Sequence, residues 1–480
     1  MQQRGATLMI MLVIMVLGTA TYLVNSFNST AVQTARDKLT ADALAQAKNA
    51  LIAYAVTYAD NNPGSVHGYL PCPDAGTGAE GIANPPCGVT DVSRIGKLPW
   101  KTLGLEPLAD SSGTCLWYAV SGTYKNNPMT QMMNDDNEGL FRVMAPDGVT
   151  LQAGSSVENR AVAVIFAPGS AIGASQSRTF TVGSLCGGSG SYTASRYLDN
   201  DTVHGINNSV VSATANAVST FVAGPVQASG NPIVNDRLAF ITKDDIFDAI
   251  NRRADFANAT TNPLRLMTQK AAECIADYGR HNLAGLGDMR LPWAARSAPA
   301  TGTDCTYRDG TALTLIMYGR LPNRVSVSRG LTQTNNSIAQ ATRCSTLSYY
   351  QLDAAACPAG WSTYAPWWSN WKDHVFYMVG NNFRPAAAPS LTCSAGNCLT
   401  VNGTGLYAAI VAFSGKKLAS QTRATSSDQL DFANYLEGSN LKSSIPSTTT
   451  GNGNYQSGSA TATFNDVLYC IMPDLSVAPC

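Results

Sequence analysis

The feature that most constrains this fold is that the chain repeats itself. Leu44, Ala47, Leu51, Tyr54 and Tyr58 stand at offsets 0, 3, 7, 10 and 14, and Leu264, Met267, Ala271, Cys274 and Tyr278 stand at the same offsets. Each series is an apolar stripe along one face of a helix. Behind each stripe the same landmarks follow in the same order. Leu70-Pro71 answers Leu291-Pro292, Gly96-Lys97-Leu98-Pro99 answers Gly319-Arg320-Leu321-Pro322, and Leu116 to Val120 answers Val375 to Val379. Val162 to Gly169 then answers Tyr407 to Gly415, and Ala174-Ser175-Gln176-Ser177-Arg178 answers Ala419-Ser420-Gln421-Thr422-Arg423. Tyr197-Leu198-Asp199 answers Tyr435-Leu436-Glu437, and Asn235-Asp236 answers Asn465-Asp466, each Asn-Asp pair preceding an apolar run. Accident does not preserve that order, so each copy has to bury the same pattern. A helix, a Gly/Pro-rich loop and then short β-branched and aromatic strands predict an α+β class. The predicted boundary between copies falls near residues 258–263, giving a first domain over 29–258 and a second over 259–480 with an insertion at 323–373.

Composition narrows the function classes. With 32 basic against 32 acidic residues among 480, no basic field for nucleic acid exists, so no nucleic-acid partner is expected. The twelve cysteines show no C-x-x-C or Cys/His ligand spacing, which predicts disulfides in an oxidising compartment. The expected pairs are Cys72–Cys87, Cys344–Cys357, Cys393–Cys398 and Cys470–Cys480, each closing a short loop, with Cys115–Cys186 and Cys274–Cys305 using the rest.

The amino terminus has a polar leader over residues 1–5 with Arg4, then a run without charge from Ala6 to Val24. At 1.5 Å per residue that run spans about 28 Å, enough for a bilayer. No proline interrupts residues 6–59, so one helix is predicted to leave the membrane half at 6–28 and continue as the amphipathic stripe. The residues Arg4-Gly5-Ala6-Thr7-Leu8, with the apolar run behind them, resemble the type IV pilin and type II secretion pseudopilin superfamily. The stretch Asp110 to Tyr118 is similar to the pseudopilin pattern Asp-x-Trp-Gly-x-x-Leu-x-Tyr with Ser112 in place of Trp.

That resemblance implies a long N-terminal transmembrane and amphipathic helix followed by two tandem pilin-like heads, each a helix packed on an antiparallel sheet. It implies a processing site between Gly5 and Ala6 cut by a prepilin peptidase, a single-pass inner-membrane precursor, and a periplasmic or extracellular filament after assembly. Its partners would be other pilins or pseudopilins held through the N-terminal helix. Major pilins carry Glu at the fifth mature position, where this chain has Ile10; a minor or tip subunit that initiates assembly is the role that departure implies. The alternative from another class is a secreted carbohydrate-binding or carbohydrate-active protein whose signal peptide ends near Ala20.

Three constellations are candidates for chemistry. Asp199, Asp201 and Asp236 supply hard oxygen donors suited to weak Ca²⁺ binding, with Asx-turn capping as the alternative use of the same side chains. Asn134-Asp135-Asp136-Asn137-Glu138 is acidic but lacks the spacing of a twelve-residue calcium loop. Trp361, Tyr364, Trp367, Trp368 and Trp371 form either a binding platform or the core of the insertion. Gly76-Thr-Gly78-Ala-Glu-Gly81 fits a dinucleotide expression, but Pro residues flank it where a strand and a helix are required, and it is predicted to be a loop. Neither a Gly-x-Ser-x-Gly elbow nor a His-Glu-x-x-His motif occurs, so no catalytic residue is expected.

Overall fold

The computed structural model describes residues 31–129, 132–173, 176–280, 289–295, 317–322, 324–326, 349–351, 357, 359–384, 392–394, 396–442 and 453–480. The chain divides into two compact units. The first holds the residues up to Tyr54, Leu70–Met129 and Gly139–Thr242; the second holds Ala55–Tyr69, Thr130–Glu138 and Lys243–Cys480.

In the first unit, helix α1 (residues 31–56, of which it holds those to Tyr54) buries Ala43, Leu44, Ala47 and Leu51. Strands β1 (Arg94–Lys97), β2 (Trp117–Val120), β3 (Phe141–Met144), β4 (Leu151–Ala153), β5 (Ala161–Ala167), β6 (Ser219–Val222) and β7 (Arg237–Thr242) form one seven-stranded sheet. Its centre is β5, which is buried along its whole length and pairs antiparallel with β2 and β7. An all-apolar strand such as Ala-Val-Ala-Val-Ile-Phe-Ala belongs in that position, because both of its faces are covered. Among the described residues β3 and β6 are the one parallel pair in this sheet.

The second unit repeats the central part. Helices α2 (Lys243–Asn251) and α3 (Pro263–Arg280) are followed by β8 (Tyr318–Arg320), helix α4 (Trp361–Trp371), β9 (Val375–Val379), β10 (Ala409–Phe413), β11 (Val467–Ile471) and β12 (Val477–Pro479). These five strands form an antiparallel sheet in the order β8-β9-β10-β11-β12. The register repeats residue for residue. Gly96 faces Tyr118 and Lys97 faces Trp117 in the first unit; Gly319 faces Tyr377 and Arg320 faces Phe376 in the second. Leu238 to Ile241 lie opposite Phe166 to Ala163, as Leu468 to Ile471 lie opposite Ala412 to Ala409. Even the loops agree: the Tyr118 hydroxyl donates to the Pro71 carbonyl at 3.2 Å, and the Tyr377 hydroxyl to that of Pro292 at 3.1 Å.

Two expectations are corrected here. The fold is mixed and mostly β, with strands distributed over several sheets, and not the α+β arrangement of a long transmembrane helix carrying two pilin-like heads. No helix among the described residues is long and apolar enough to cross a membrane, which overturns the single-pass inner-membrane placement. The run at 6–28 and the processing residues Gly5 and Ala6 lie outside the described residues.

Among the described residues five disulfides are formed: Cys72–Cys87, Cys115–Cys186, Cys274–Cys357, Cys393–Cys398 and Cys470–Cys480. Four agree with the expected pairs. Cys274 takes Cys357 instead of Cys305, which also overturns the expected Cys344–Cys357 pair, because α4, which begins four residues after Cys357, packs on α3, the helix that carries Cys274. Cys305 and Cys344 lie outside the described residues.

Candidate functional site

The side chains that the repeat preserves converge on one node in each unit. In the first, Gln176 Nε2 donates to Asp199 Oδ1 at 2.6 Å, the Asn235 amide to Asp199 Oδ2 at 2.6 Å, and the Asp199 amide to Asp236 Oδ2 at 2.8 Å. In the second, Gln421 Nε2 donates to Glu437 Oε1 at 2.7 Å, the Asn465 amide to Glu437 Oε2 at 3.1 Å, and the Glu437 amide to Asp466 Oδ2 at 3.1 Å. Asn208 and Asn440 each donate to the second carboxylate at 2.9 Å. Gly169 and Gly415 both adopt positive φ, where a side chain would be strained, and a Cβ there would meet Asn235 Oδ1 at 2.8 Å or Asn465 Oδ1 at 2.6 Å.

Above each node a tyrosine ring lies against two cations. Tyr197 has Arg178 at 5.1 Å and Lys97 at 5.6 Å from its centroid; Tyr435 has Arg423 at 4.2 Å and Arg320 at 5.0 Å. Desolvated cation–π contacts of this kind contribute about 1–2 kcal/mol each. Burial pulls Lys97 down to about 8, against the pull of Glu80 and Asp74.

These geometries give the predicted calcium residues another occupation. Asp199 spends both oxygens on Gln176, Asn235 and Asp236. Burial, then the Asp199 charge, pushes Asp236 well above the usual carboxylate range. Asp201 stands apart from that pair in use: its Oδ1 caps the amides of Val203 and His204, and its Oδ2 faces His204 Nδ1. With Asp199 and Asp201 so engaged, the melting temperature of protein already stripped of metal is expected to be the same with and without millimolar CaCl₂, measured by scanning calorimetry. A rise of several degrees in calcium, abolished by Asp201→Asn, would restore a cation to this loop.

The tryptophans lie in α4, which packs on α3 within the second unit. Trp361, Trp368 and Trp371 are buried, while Tyr364 and Trp367 are half-buried. Trp361 and Trp368 contact each other at 6.0 Å, and Trp367 stands 5.6 Å from His67 and 5.8 Å from Phe256. The five residues are therefore brought together mainly as core. Burial in this aromatic nest, with Arg253 nearby, lowers His67 to about 4. The glycine-rich stretch 76–81 is a loop folded around Asp74, whose Oδ1 accepts from the Gly76 amide and Oδ2 from the Gly81 amide.

The second unit holds one cluster with no counterpart in the first. Asp135, Asp136 and His374 each offer a ligand atom, all within 4.8 Å of one another, the one such group of three among the described residues. His374 Nε2 is 3.3 Å from Asp136 Oδ2 and 3.5 Å from Asp135 Oδ1. Tyr435 donates to Asp136 Oδ2 at 2.6 Å, and Arg423 Nη1 stands 3.5 Å from Asp136 Oδ1. Burial pushes Asp136 up, but His374, Arg423, the Tyr435 hydroxyl and Lys243 outweigh it and hold it below the usual range. Burial lowers His374 in turn, although the two aspartates oppose that. Lys243 closes the loop by bonding Glu138 at 2.8 Å. The acidic stretch is visible in the sequence; its histidine is not, because nothing in spacing links His374 to residues 135 and 136.

No protein-family model matches the chain, and no curated protein or solved structure is significantly similar to it.

Proposed function

We propose that this chain is a structural subunit of a type IV pilus or a related pseudopilus, a minor or tip component that initiates assembly and makes contacts through two copies of one head. The observation that carries the reading is the repeated node: duplication kept Gln, Arg, Asn and Asp in hydrogen-bonded positions that hold loops in place, and these are positions of architecture. The residues Arg4-Gly5-Ala6-Thr7-Leu8 and the uncharged run after them support the filament class, and Ile10 supports a position outside the repeating shaft. Five disulfides suit an oxidising compartment. Its partners are then other pilins or pseudopilins and the prepilin peptidase. The burial of Trp361, Trp368 and Trp371 leaves the carbohydrate-binding alternative without the surface that suggested it.

Sequencing the mature amino terminus tests the assignment. The expected result is a chain that begins at N-methylated Ala6. A start just after Ala20 would overturn it in favour of a secreted protein with an ordinary signal peptide. Labelling the second unit and imaging filaments tests the position: one label per filament end is expected, and regular decoration along the length would exclude the tip.

A further inference from the structure

The two units differ at one strand entrance. The β1–β2 and β8–β9 registers make Leu116 equivalent to Val375, and the Leu98 and Leu321 amides donate to those two carbonyls at 3.0 and 2.9 Å. The residue before this equivalent pair is thus Cys115 in one unit and His374 in the other. Cys115 is stapled to Cys186, which ties the entrance of β2 to a distant loop. His374 has no such bond. It faces Asp135 and Asp136, on a loop that the second unit takes from another part of the chain.

The polar atoms there are left over. His374 is 0% exposed, and its Nε2 has no hydrogen-bond partner; neither do Asp135 Oδ1 and Asp136 Oδ1, all three being buried. Buried polar atoms cost about 1–3 kcal/mol each when nothing meets them. Arg423 comes no nearer than 3.5 Å to these oxygens, and its Nε is committed to the Asn434 carbonyl at 2.7 Å. His374 Nδ1 has two neighbours, the Arg423 Nη1 donor at 3.3 Å and Ser414 Oγ at 3.4 Å. In the tautomer with the proton on Nδ1 and directed to Ser414, Nε2 presents a bare lone pair beside two carboxylates; the Arg423 donor then finds no acceptor at Nδ1, whereas the opposite tautomer accepts from Arg423 and turns an N–H on Nε2 toward Asp136.

We propose that this cluster binds one divalent transition-metal ion of the zinc class, held by Asp135, Asp136 and His374, and that the ion does in the second unit what the Cys115–Cys186 bond does in the first. Two carboxylate oxygens and an imidazole nitrogen suit Zn²⁺ and exclude Ca²⁺ and Mg²⁺ as preferred ions, since those take oxygen ligands. The outer shell is also present: the Tyr435 hydroxyl orients Asp136, and Ser414 can hold His374 in the metal-binding tautomer. A cavity of about 210 Å³, lined by Trp371, Phe413 and Asn251, reaches the cluster at Asp135.

The test uses the full-length protein, stripped with chelator and titrated with ZnCl₂ by calorimetry in excess Ca²⁺ and Mg²⁺. One equivalent is expected to bind, with a rise of several degrees in melting temperature. Asp135→Asn, which alters the rim of the cavity, is expected to weaken zinc at least tenfold, while Asp199→Asn in the first unit leaves it unchanged. Absence of a bound equivalent, or undiminished binding by Asp135→Asn, overturns the proposal and leaves a proton on Nε2 as the link between His374 and Asp136. Should Asp135→Asn fail to fold, Co²⁺ loading of the unaltered protein decides: an intense visible band from a four-coordinate imidazole–carboxylate site is expected, and the weak spectrum of hydrated Co²⁺ overturns the proposal.

Discussion

Arg423→Ala is expected to destabilise the second unit by about 3–5 kcal/mol, the range for removing one member of a buried charge group. The guanidinium is fully buried, and it is used in several ways at once. It donates to the Asn434 carbonyl, lies 4.2 Å from the Tyr435 ring, contacts Gln421 at 3.3 Å, and supplies positive charge beside Asp135 and Asp136. Alanine would leave these two carboxylates without their nearest arginine and would open a cavity under the Tyr435 ring. Arg423→Lys should recover the charge and not the fork, so an intermediate loss is expected. The equivalent Arg178→Ala should cost about 1–2 kcal/mol, because Arg178 is half-buried and donates to neutral acceptors, the Thr114 hydroxyl and the carbonyls of Gly169, Arg196 and Tyr197. Urea unfolding followed by tryptophan fluorescence measures this directly, since five of the seven tryptophans belong to the second unit. Equal losses for Arg178→Ala and Arg423→Ala would show that the acidic cluster adds nothing to the second node.

What is legible in the sequence is whatever the duplication has kept. Gln176 and Gln421, Arg178 and Arg423, Asn235-Asp236 and Asn465-Asp466 stand out because loop-holding side chains make specific bonds, and a substitution there leaves a buried partner unmet. Short-loop disulfides are legible for a related reason: closure over few residues limits the choice of partner. Spacing points Cys274 to the wrong cysteine because its partner is selected by the packing of α4 on α3, a tertiary contact with no periodic signature. The same holds for His374. Its neighbours come from residues 135 and 136, so the cluster exists only after the chain has folded. The fold class is misread from sequence because the strands, spread over several sheets, dominate over the helical stripes. The charged side of α1 fits a helix lying on a sheet, and the strands, which outnumber the helices among the described residues, are too short, at two to seven residues, for their alternation to announce them.

The second large effect concerns pH. Asp466 is buried beside Glu437 and is pushed up to about 9, first by burial and then by the Glu437 charge, from an ordinary value of 3.8. A carboxyl raised in the folded state must take up a proton on folding. Its contribution to stability is complete below the unfolded value and is lost as pH rises through the folded one, so the second unit should weaken steadily from about pH 4 to about pH 9. Asp373, pushed up to about 7 by burial and by Asp136, adds a slope of the same sign at lower pH, which makes the range above 7 diagnostic for Asp466. Asp466→Asn removes the need for the proton while keeping the geometry. The amide oxygen can still accept from the Glu437 amide at 3.1 Å and Asn440 Nδ2 at 2.9 Å, and its NH₂ can donate to the Glu437 carboxylate as the protonated acid does. The variant is therefore expected to match the unaltered protein at pH 4.5 and to exceed it by about 2–4 kcal/mol at pH 8. That range follows from about 1.4 kcal/mol for every tenfold difference in proton affinity between folded and unfolded chains, reduced for partial relaxation around the buried acid. Asp236→Asn should act in the same direction on the first unit, where Asp236 is raised by burial and by Asp199. Melting temperatures at the two pH values give the answer: a difference between Asp466→Asn and the unaltered protein that is the same at pH 4.5 and at pH 8 would mean that Asp466 is already ionised in the folded chain.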